Sequence, residues 1–283
     1  MSGSNLPEID GVPIDVFMPC VMSRQVRNGD WVSHGASVPL AGAALFLAME
    51  THAPDADVWI QGCVTPTDRN LADALLFPTR IYKATKAHMS QTEIINFSLR
   101  GNSSFQFLRP AQIDPHGNLN VSVIKREGKP DLRFHGIAIG DALNAVGRVC
   151  FYVTEHTPRT FAEELPFRTA AGHDDGSAWR EGTGLPPESG PVGVVTPMAV
   201  LDFDDARRLR IAAVHRGFSV EDVRAATGFE LGVAPNCGET PMPTAEEVAA
   251  LENVDPEGIR RLEFRETRAA VLAHLADRAR QVA

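Results

Sequence analysis

Gln61, Gly62 and Cys63 close a short apolar run, Asp57 to Ile60, that reads as a strand. Ligands of α/β sheets bind at the carboxyl ends of strands, so working side chains are expected there. The Gln61 amide can act as an electrophilic hydrogen-bond donor to a carbonyl, or it can simply end the strand. Cys63 would be a nucleophile only as the thiolate, and no histidine adjoins it in sequence to activate it; an inert buried thiol is the plainer reading. His34 lies in the loop after the strand Trp31-Val32-Ser33. An imidazole suits proton transfer near neutral pH, and a hydrogen-bonded structural histidine fits equally well. Ser37 ends the same loop, where a helix N-terminus can receive an anionic group. The loop lacks the G-x-G-x-x-G spacing of a dinucleotide site.

A second group runs from Arg109 to Asn120. Arg109 offers a fixed positive charge and a fork of donors to a carboxylate or phosphate, or is a surface arginine. Asp114, Asn118 and Asn120 either shape a substrate loop or tie down a turn at Gly117, and turn architecture is the stronger reading. Gln112 is expected to face the ligand. Metal chemistry finds no support: Cys20, Cys63, Cys150 and Cys237 are far apart with no C-x-x-C, and the 9 histidines are scattered with no H-E-x-x-H. The cysteines read as reduced, mostly buried thiols.

Placing these groups requires a strand–loop–helix–strand unit. Trp31–Ser33 is the first strand, and Pro39 to Glu50 a helix with Ser37 as candidate N-cap and Pro39 in its first turn. Asp57–Ile60 is the next strand, so the unit belongs to a parallel α/β sheet. Phe105–Leu108, Val121–Ile124, Val149–Thr154 and Val194–Leu201 read as further strands, and the stretch Gly136–Gly147 as a loop or short helix. Asp204 to His215 reads as a turn and strand of a hairpin. Ser219 and Thr244 each precede an acidic residue three positions on and open helices in capping-box style. Residues 1–18 read as a loose arm, 159–193 as a loop-rich surface insertion, and 244–283 as a peripheral helical tail.

The 283 residues, 43% of them hydrophobic, suffice for a sizeable core. No apolar stretch is long enough to span a bilayer, and residues 1–19 lack the order of a signal peptide, so a cytoplasmic protein is expected. A net charge of −9 without any basic run argues against nucleic acid as a partner.

Four segments together resemble the β-subunits of glutaconate-type CoA-transferases and of the related steroid ring-opening CoA hydrolases. They are Cys20 to Pro54 (CVMSRQVRNGDWVSHGASVPLAGAALFLAMETHAP), Ala111 to Asn120 (AQIDPHGNLN), Val214 to Leu231 (VHRGFSVEDVRAATGFEL) and Pro243–Glu247 with Val254-Asp255-Pro256. The second is the most specific. The resemblance spans roughly residues 20–265 and implies a single domain from residue 19 onward. It implies the α/β fold of CoA-transferases, shared with sugar-phosphate isomerases: a parallel-rich twisted sheet flanked by helices. It also implies a CoA thioester as substrate, no permanently bound cofactor, and a homologous α-type partner in an α2β2 assembly with the active site between the chains. Ser37, Gly62, Arg109, Ala111, Gln112, Asp114 and Asn118 become candidates for binding the thioester, and Gln61, His34 and Cys63 for catalysis.

The chain departs from the resemblance in two places. CoA-transferases use a β-subunit glutamate as nucleophile, and an ungapped placement puts Gln61 at that position; an amide cannot carry the acyl group. Between Glu50 and Glu93 there is no glutamate at all. Pro110 stands where many relatives have glycine, so one backbone N–H is missing from a possible oxyanion site. The expectation is an enzyme subunit that acts on a CoA thioester by hydrolysis or by carbon–carbon bond cleavage or formation. The alternatives are a true CoA-transferase subunit and a non-catalytic subunit that completes the pocket of its partner.

Overall fold

The computed structural model describes residues 6–35, 38–76, 78–134, 136, 143, 146–176, 178–185 and 189–282. The chain divides into two compact units: Met1–Gln91 with Pro241–Ala283, and Thr92–Thr240. Each is an α/β or mixed-sheet body with its own apolar interior.

In the first unit, strands β1 (Glu8–Ile9) and β2 (Val12–Pro13) form a short antiparallel hairpin that leads into helix α1 (Ile14–Ser23). The expected loose arm is therefore folded from residue 6, with Asp15, Phe17 and Met18 buried. Strand β3 (Trp31–Ser33) runs parallel to β4 (Asp57–Ile60), with helix α2 (Pro39–Glu50) crossing between them. Strands β5 (Cys63–Pro66) and β6 (Thr85–His88) then add antiparallel neighbours.

α2 is apolar on nearly every side, and all its residues from Pro39 to Met49 are buried. Such a helix must be covered all round. Its cover comes from α1, the helix Ala245–Val254 and the 3₁₀ turn Ile259–Glu263. The C-terminal segment is thus core as well as periphery, which corrects the reading of residues 244–283 as a tail. Arg260, 4% exposed, meets Asp15 at 3.2 Å and Asp255 at 3.0 Å, both fully buried at their side chains. Arg261 adds a 2.6 Å contact to Asp15.

Val38, not Ser37, occupies the N-cap of α2 and brings no side-chain bond. The buried Glu263 carboxylate substitutes for a local cap by accepting from Leu40 N at 2.7 Å. Ser37 itself lies outside the described residues.

In the second unit, β7 (Phe105–Leu108) pairs in parallel with β12 (Arg148–Tyr152), and β12 in parallel with β13 (Gly190–Val195). β14 (Ala199–Phe203) and β15 (Leu209–Val214) continue antiparallel, and β16 (Gly232–Glu239) closes in parallel. The short pairs β8 (Gln112–Ile113) with β9 (Leu119–Asn120) and β10 (Val123–Ile124) with β11 (Leu132–Arg133) lie apart from this ladder. The expected strand Val194–Leu201 is really two, because Pro197 and the Thr196 hydroxyl, which bonds Ala199, turn the chain between them.

The segment 159–193 is less of a surface insertion than its composition suggests: Phe161, His173 and Arg180 are buried. Thr169 and Ala170 bond Leu119, and His173 bonds His116, so the segment is stitched to the 112–120 loop. Of the stretch 136–147, only residues 136, 143, 146 and 147 are described. The capping boxes at Ser219 and Thr244 are both present. Among the described residues, no helix is long and apolar enough to cross a membrane.

Candidate active site

The end of β4 is one of the places among the described residues where a residue other than glycine has positive φ, with Asp10, Thr65, Asp174 and Arg207. Ile60 pairs with Cys63, so Gln61 and Gly62 form a two-residue hairpin turn, and both have positive φ, 49° and 89°. That is the pattern of a type I′ turn, which prefers Asn-Gly or Gly-Gly because φ is positive at both central positions. Glutamine gains nothing in this backbone, whereas its longer side chain reaches solvent: Gln61 is exposed. A strained non-glycine residue held at a strand end points to work done by its side chain.

The base of the turn is locked. Thr65, also at positive φ (48°), donates to Asp57 Oδ1 at 2.6 Å and accepts from Val58 N at 3.3 Å. Lys86 Nζ reaches the same carboxylate at 2.9 Å. Burial works to raise the Asp57 carboxyl, but the bonds from Thr65 and Lys86 and the lysine charge prevail and hold it below its ordinary value. Across the turn, Met89 N donates to Gly62 O at 3.0 Å, and Trp59 Nε1 donates to Met89 O at 2.8 Å.

The neighbouring candidates are enclosed. Cys63 is fully buried and burial pushes its thiol up, away from the thiolate. His34 is 6% exposed, and its Nε2–H donates to Val38 O at 3.1 Å, so the nearby loop fixes its tautomer. Burial pulls its imidazole down to about 4, against the opposing bond to Val38. Its bond to Val38 O braces the start of α2, and burial favours the uncharged ring. Ser33, beside it at the end of β3, has a buried hydroxyl with no hydrogen-bond partner among the described residues.

The 109–120 candidates sit in the second unit and behave differently. Arg109 is half-buried and donates to Thr154 Oγ1 at 2.8 Å. Ala111 N bonds Asn120 O at 3.0 Å. Gln112, expected to face a ligand, is buried: it donates to Arg159 O at 3.1 Å and accepts from Asn120 Nδ2 at 2.8 Å. Asp114 accepts from His116 N, Asn118 N and Asn118 Nδ2 at 2.7–3.0 Å. Burial raises its carboxyl above the ordinary value despite these bonds.

Asn118, 3% exposed, accepts from Gly172 N and Asp174 N and donates to Asp174 O. Gly172 must be glycine, since a Cβ there would overlap Gly117 O. This loop is turn architecture with its polar atoms turned inward, as the Asp-x-x-Gly-Asn spacing suggests.

One residue beside the Gln61 turn escaped sequence reasoning: Tyr82, whose ring stacks on His88 with centroids 4.7 Å apart. Only the pairing of β6 against β5 brings it there, and no spacing in the sequence announces that. Among the described residues, no group of three or more His, Cys, Asp or Glu side chains could hold a metal ion.

No family model matches the chain. It is 30% identical over 219 residues to the B subunit of glutaconate CoA-transferase from Acidaminococcus fermentans, covering 75% of this chain and 81% of that protein. It is 27% identical over 247 residues to the B subunit of 3-oxoadipate CoA-transferase from Pseudomonas knackmussii, covering 84% and 92%. It is 28% identical over 159 residues to the cholesterol ring-cleaving hydrolase IpdB subunit of Rhodococcus jostii, covering 53% and 58%. The crystal structure of the Acidaminococcus fermentans glutaconate CoA-transferase superposes with a TM-score of 0.76 at 25% identity, covering 88% of this chain and 97% of that one. The decarboxylase AibA/AibB superposes at 0.74 with 23% identity, covering 87% and 96%, a likeness of fold.

Proposed function

The chain belongs to the CoA-transferase family as a β-type subunit, and from that premise we propose that it acts on an acyl-CoA thioester by hydrolysis or carbon–carbon bond cleavage or formation, not by CoA transfer. It would do so with a homologous α-type subunit, as an α2β2 assembly. The observation that carries this reading is Gln61 at the tip of the β4–β5 turn. Covalent CoA transfer needs a carboxylate that attacks the thioester carbonyl and expels CoA thiolate to form a mixed anhydride, which the thiolate then opens to leave CoA on the carboxyl as the substrate's acid departs. The carboxylate nearest in sequence before the turn, Asp57, is held by Thr65 and Lys86. The nearest thiol, Cys63, is buried and protonated. What remains at the turn is an exposed amide, able to donate to an oxygen that gains charge but unable to carry an acyl group. Any catalytic acid then comes from the partner chain. The names of its relatives support this range: a hydrolase subunit stands beside two transferase subunits.

Trapping distinguishes the reactions. The chain is co-expressed with its α-type partner, and the complex is incubated with acyl-CoA, then borohydride, and each subunit is weighed by mass spectrometry. The expected result is turnover without an adduct on this chain. A glutamate of this chain reduced by borohydride to its alcohol, the mark of a glutamyl-CoA thioester, would establish the transferase reading, which the names of the first two relatives favour. Gln61→Glu, which is nearly isosteric, is expected to lose the native reaction. The partner should be held by a large apolar interface, about 2,000 Å² or more as in obligate pairs; a monodisperse monomer that is fully active alone overturns the pairing.

A further inference from the structure

The Tyr82 hydroxyl stands over the Gln61–Gly62 turn. A Cβ built on Gly62 would come within 3.1 Å of Tyr82 Oη and 3.9 Å of Met89 O. The phenol is braced through its neighbour His88. Its ring lies against the His88 imidazole with planes 21° apart. Immediately after His88, Met89 is pinned to Gly62 and Trp59 by its two backbone hydrogen bonds. His88 in turn is the register partner of Cys63 in the β5–β6 ladder. The height of the phenol above the turn is therefore set by the sheet.

For all this support, Tyr82 is 47% exposed, and Gln61 and His88 are exposed too. A tyrosine kept for packing buries its ring. This one is braced and open, and its hydroxyl is on the same turn as the one strained amide of the strand end.

We propose that Tyr82 is a second catalytic hydrogen-bond donor at this turn, paired with the Gln61 amide on the carbonyl oxygen of the thioester, and that His88 is the positioning residue that holds its ring. The inference rests on the reading that this turn serves an acyl-CoA. Two preorganised side-chain donors form an oxyanion site where the chain offers no carboxylate. Both O–H and N–H bonds stay intact throughout. The hydrogen bonds shorten as negative charge grows on the substrate oxygen and lengthen as it collapses, and no bond to the protein forms. The flat face of His88 acts by contact, so a neutral aromatic ring can replace it.

The test uses the co-expressed complex and two probes read by calorimetry: CoA itself, and carboxymethyl-CoA, whose carboxylate stands in for the charged oxygen. Tyr82→Phe keeps the ring and its stack and removes only the donor. It is expected to weaken carboxymethyl-CoA at least tenfold while leaving CoA within about twofold, the pattern of a lost donor near charge. His88→Ala should weaken carboxymethyl-CoA several-fold, and His88→Phe should recover most of that loss. Equal affinity of wild type and Tyr82→Phe for carboxymethyl-CoA overturns the inference and leaves the proposed function standing. Parallel loss of both ligands also overturns it, since that marks a structural residue. Failure of the wild-type complex to bind either probe overturns the proposed function, and the inference with it.

Discussion

The Gln61 turn and the Asp114–Asn118 loop are built from similar parts and spend them in opposite ways. Each has a glycine at positive φ, amide side chains and a nearby aspartate. In the loop of the second unit, Asn118 serves Gly172, Asp174 and Asp114, and Gln112 serves Arg159 and Asn120. In the turn of the first unit, the supporting residues Thr65, Asp57, Trp59 and Met89 bond one another, and Gln61 and Tyr82 are left facing out. Polar residues satisfied by the protein stabilise a fold; polar residues held in place but turned outward stay open to water or a ligand. The difference between scaffold and site is in where the donors point, which composition does not record.

That contrast is open to attack by mutation, most strongly at Gln61. Gln61→Ala in the complex should slow turnover by about ten- to a thousandfold, as for a lost donor near developing charge, while the urea midpoint stays put. A variant with wild-type kinetics would move Gln61 among the structural residues. Asn118→Ala should do the reverse: its loss leaves buried N–H and carbonyl groups unpaired, at a cost of about 3 kcal/mol, read as a lowered urea midpoint with unchanged activity per folded molecule.

The two aspartates give a subtler test of opposite sign. The Asp57 carboxyl is held below its ordinary value of 3.8. Its charged form therefore stabilises the fold above that pH, and the benefit fades as the pH falls through the depressed value. The Asp114 carboxyl is raised above 3.8. Its charged form is the costly one, so its contribution improves as the pH falls through the raised value. Urea unfolding across the acid range should show wild type losing its advantage over Asp57→Asn while it gains on Asp114→Asn. Parallel curves for the two pairs would refute the contrast. The smallest effect is expected from Gln61→Asn. Asparagine tolerates the left-handed region better, so the turn should gain about 0.5 kcal/mol even as the shorter amide lowers turnover.

Much of this was legible in the residues. The run from Trp31 through Pro39–Glu50 to Asp57–Ile60 carries its periods and breaks openly, and the capping boxes at Ser219 and Thr244 name their helices. The inward turning of Asp114 and Asn118 follows from Asx chemistry around Gly117. What stayed hidden depends on contacts between distant parts of the chain. Glu263 caps α2 across 223 positions of sequence, and Arg260 reaches Asp15 across 245. No local pattern marks either, so the sequence alone points to Ser37 as the N-cap and to a tail at the C-terminal segment. Gln112 was expected at a ligand because an amide beside a loop has no visible partner until Arg159 and Asn120 arrive. Tyr82 was missed for the same reason: its importance lies in the pairing of β5 with β6.

The clamp of Arg260, Arg261 and Glu263 on α1 and α2 also puts the first unit on a clock. Its opening half leaves the ribosome early, but its closing half follows the whole of Thr92–Thr240. At about 5–20 residues per second, those intervening residues take roughly 7–30 s to synthesise. During that time α2, apolar on nearly every side, has only α1 and the neighbouring strands to lie against, and Asp15 lacks Arg260 and Arg261. The second unit, continuous in sequence, can finish first. The unit that is started first is therefore completed last, when Arg260 and Glu263 arrive.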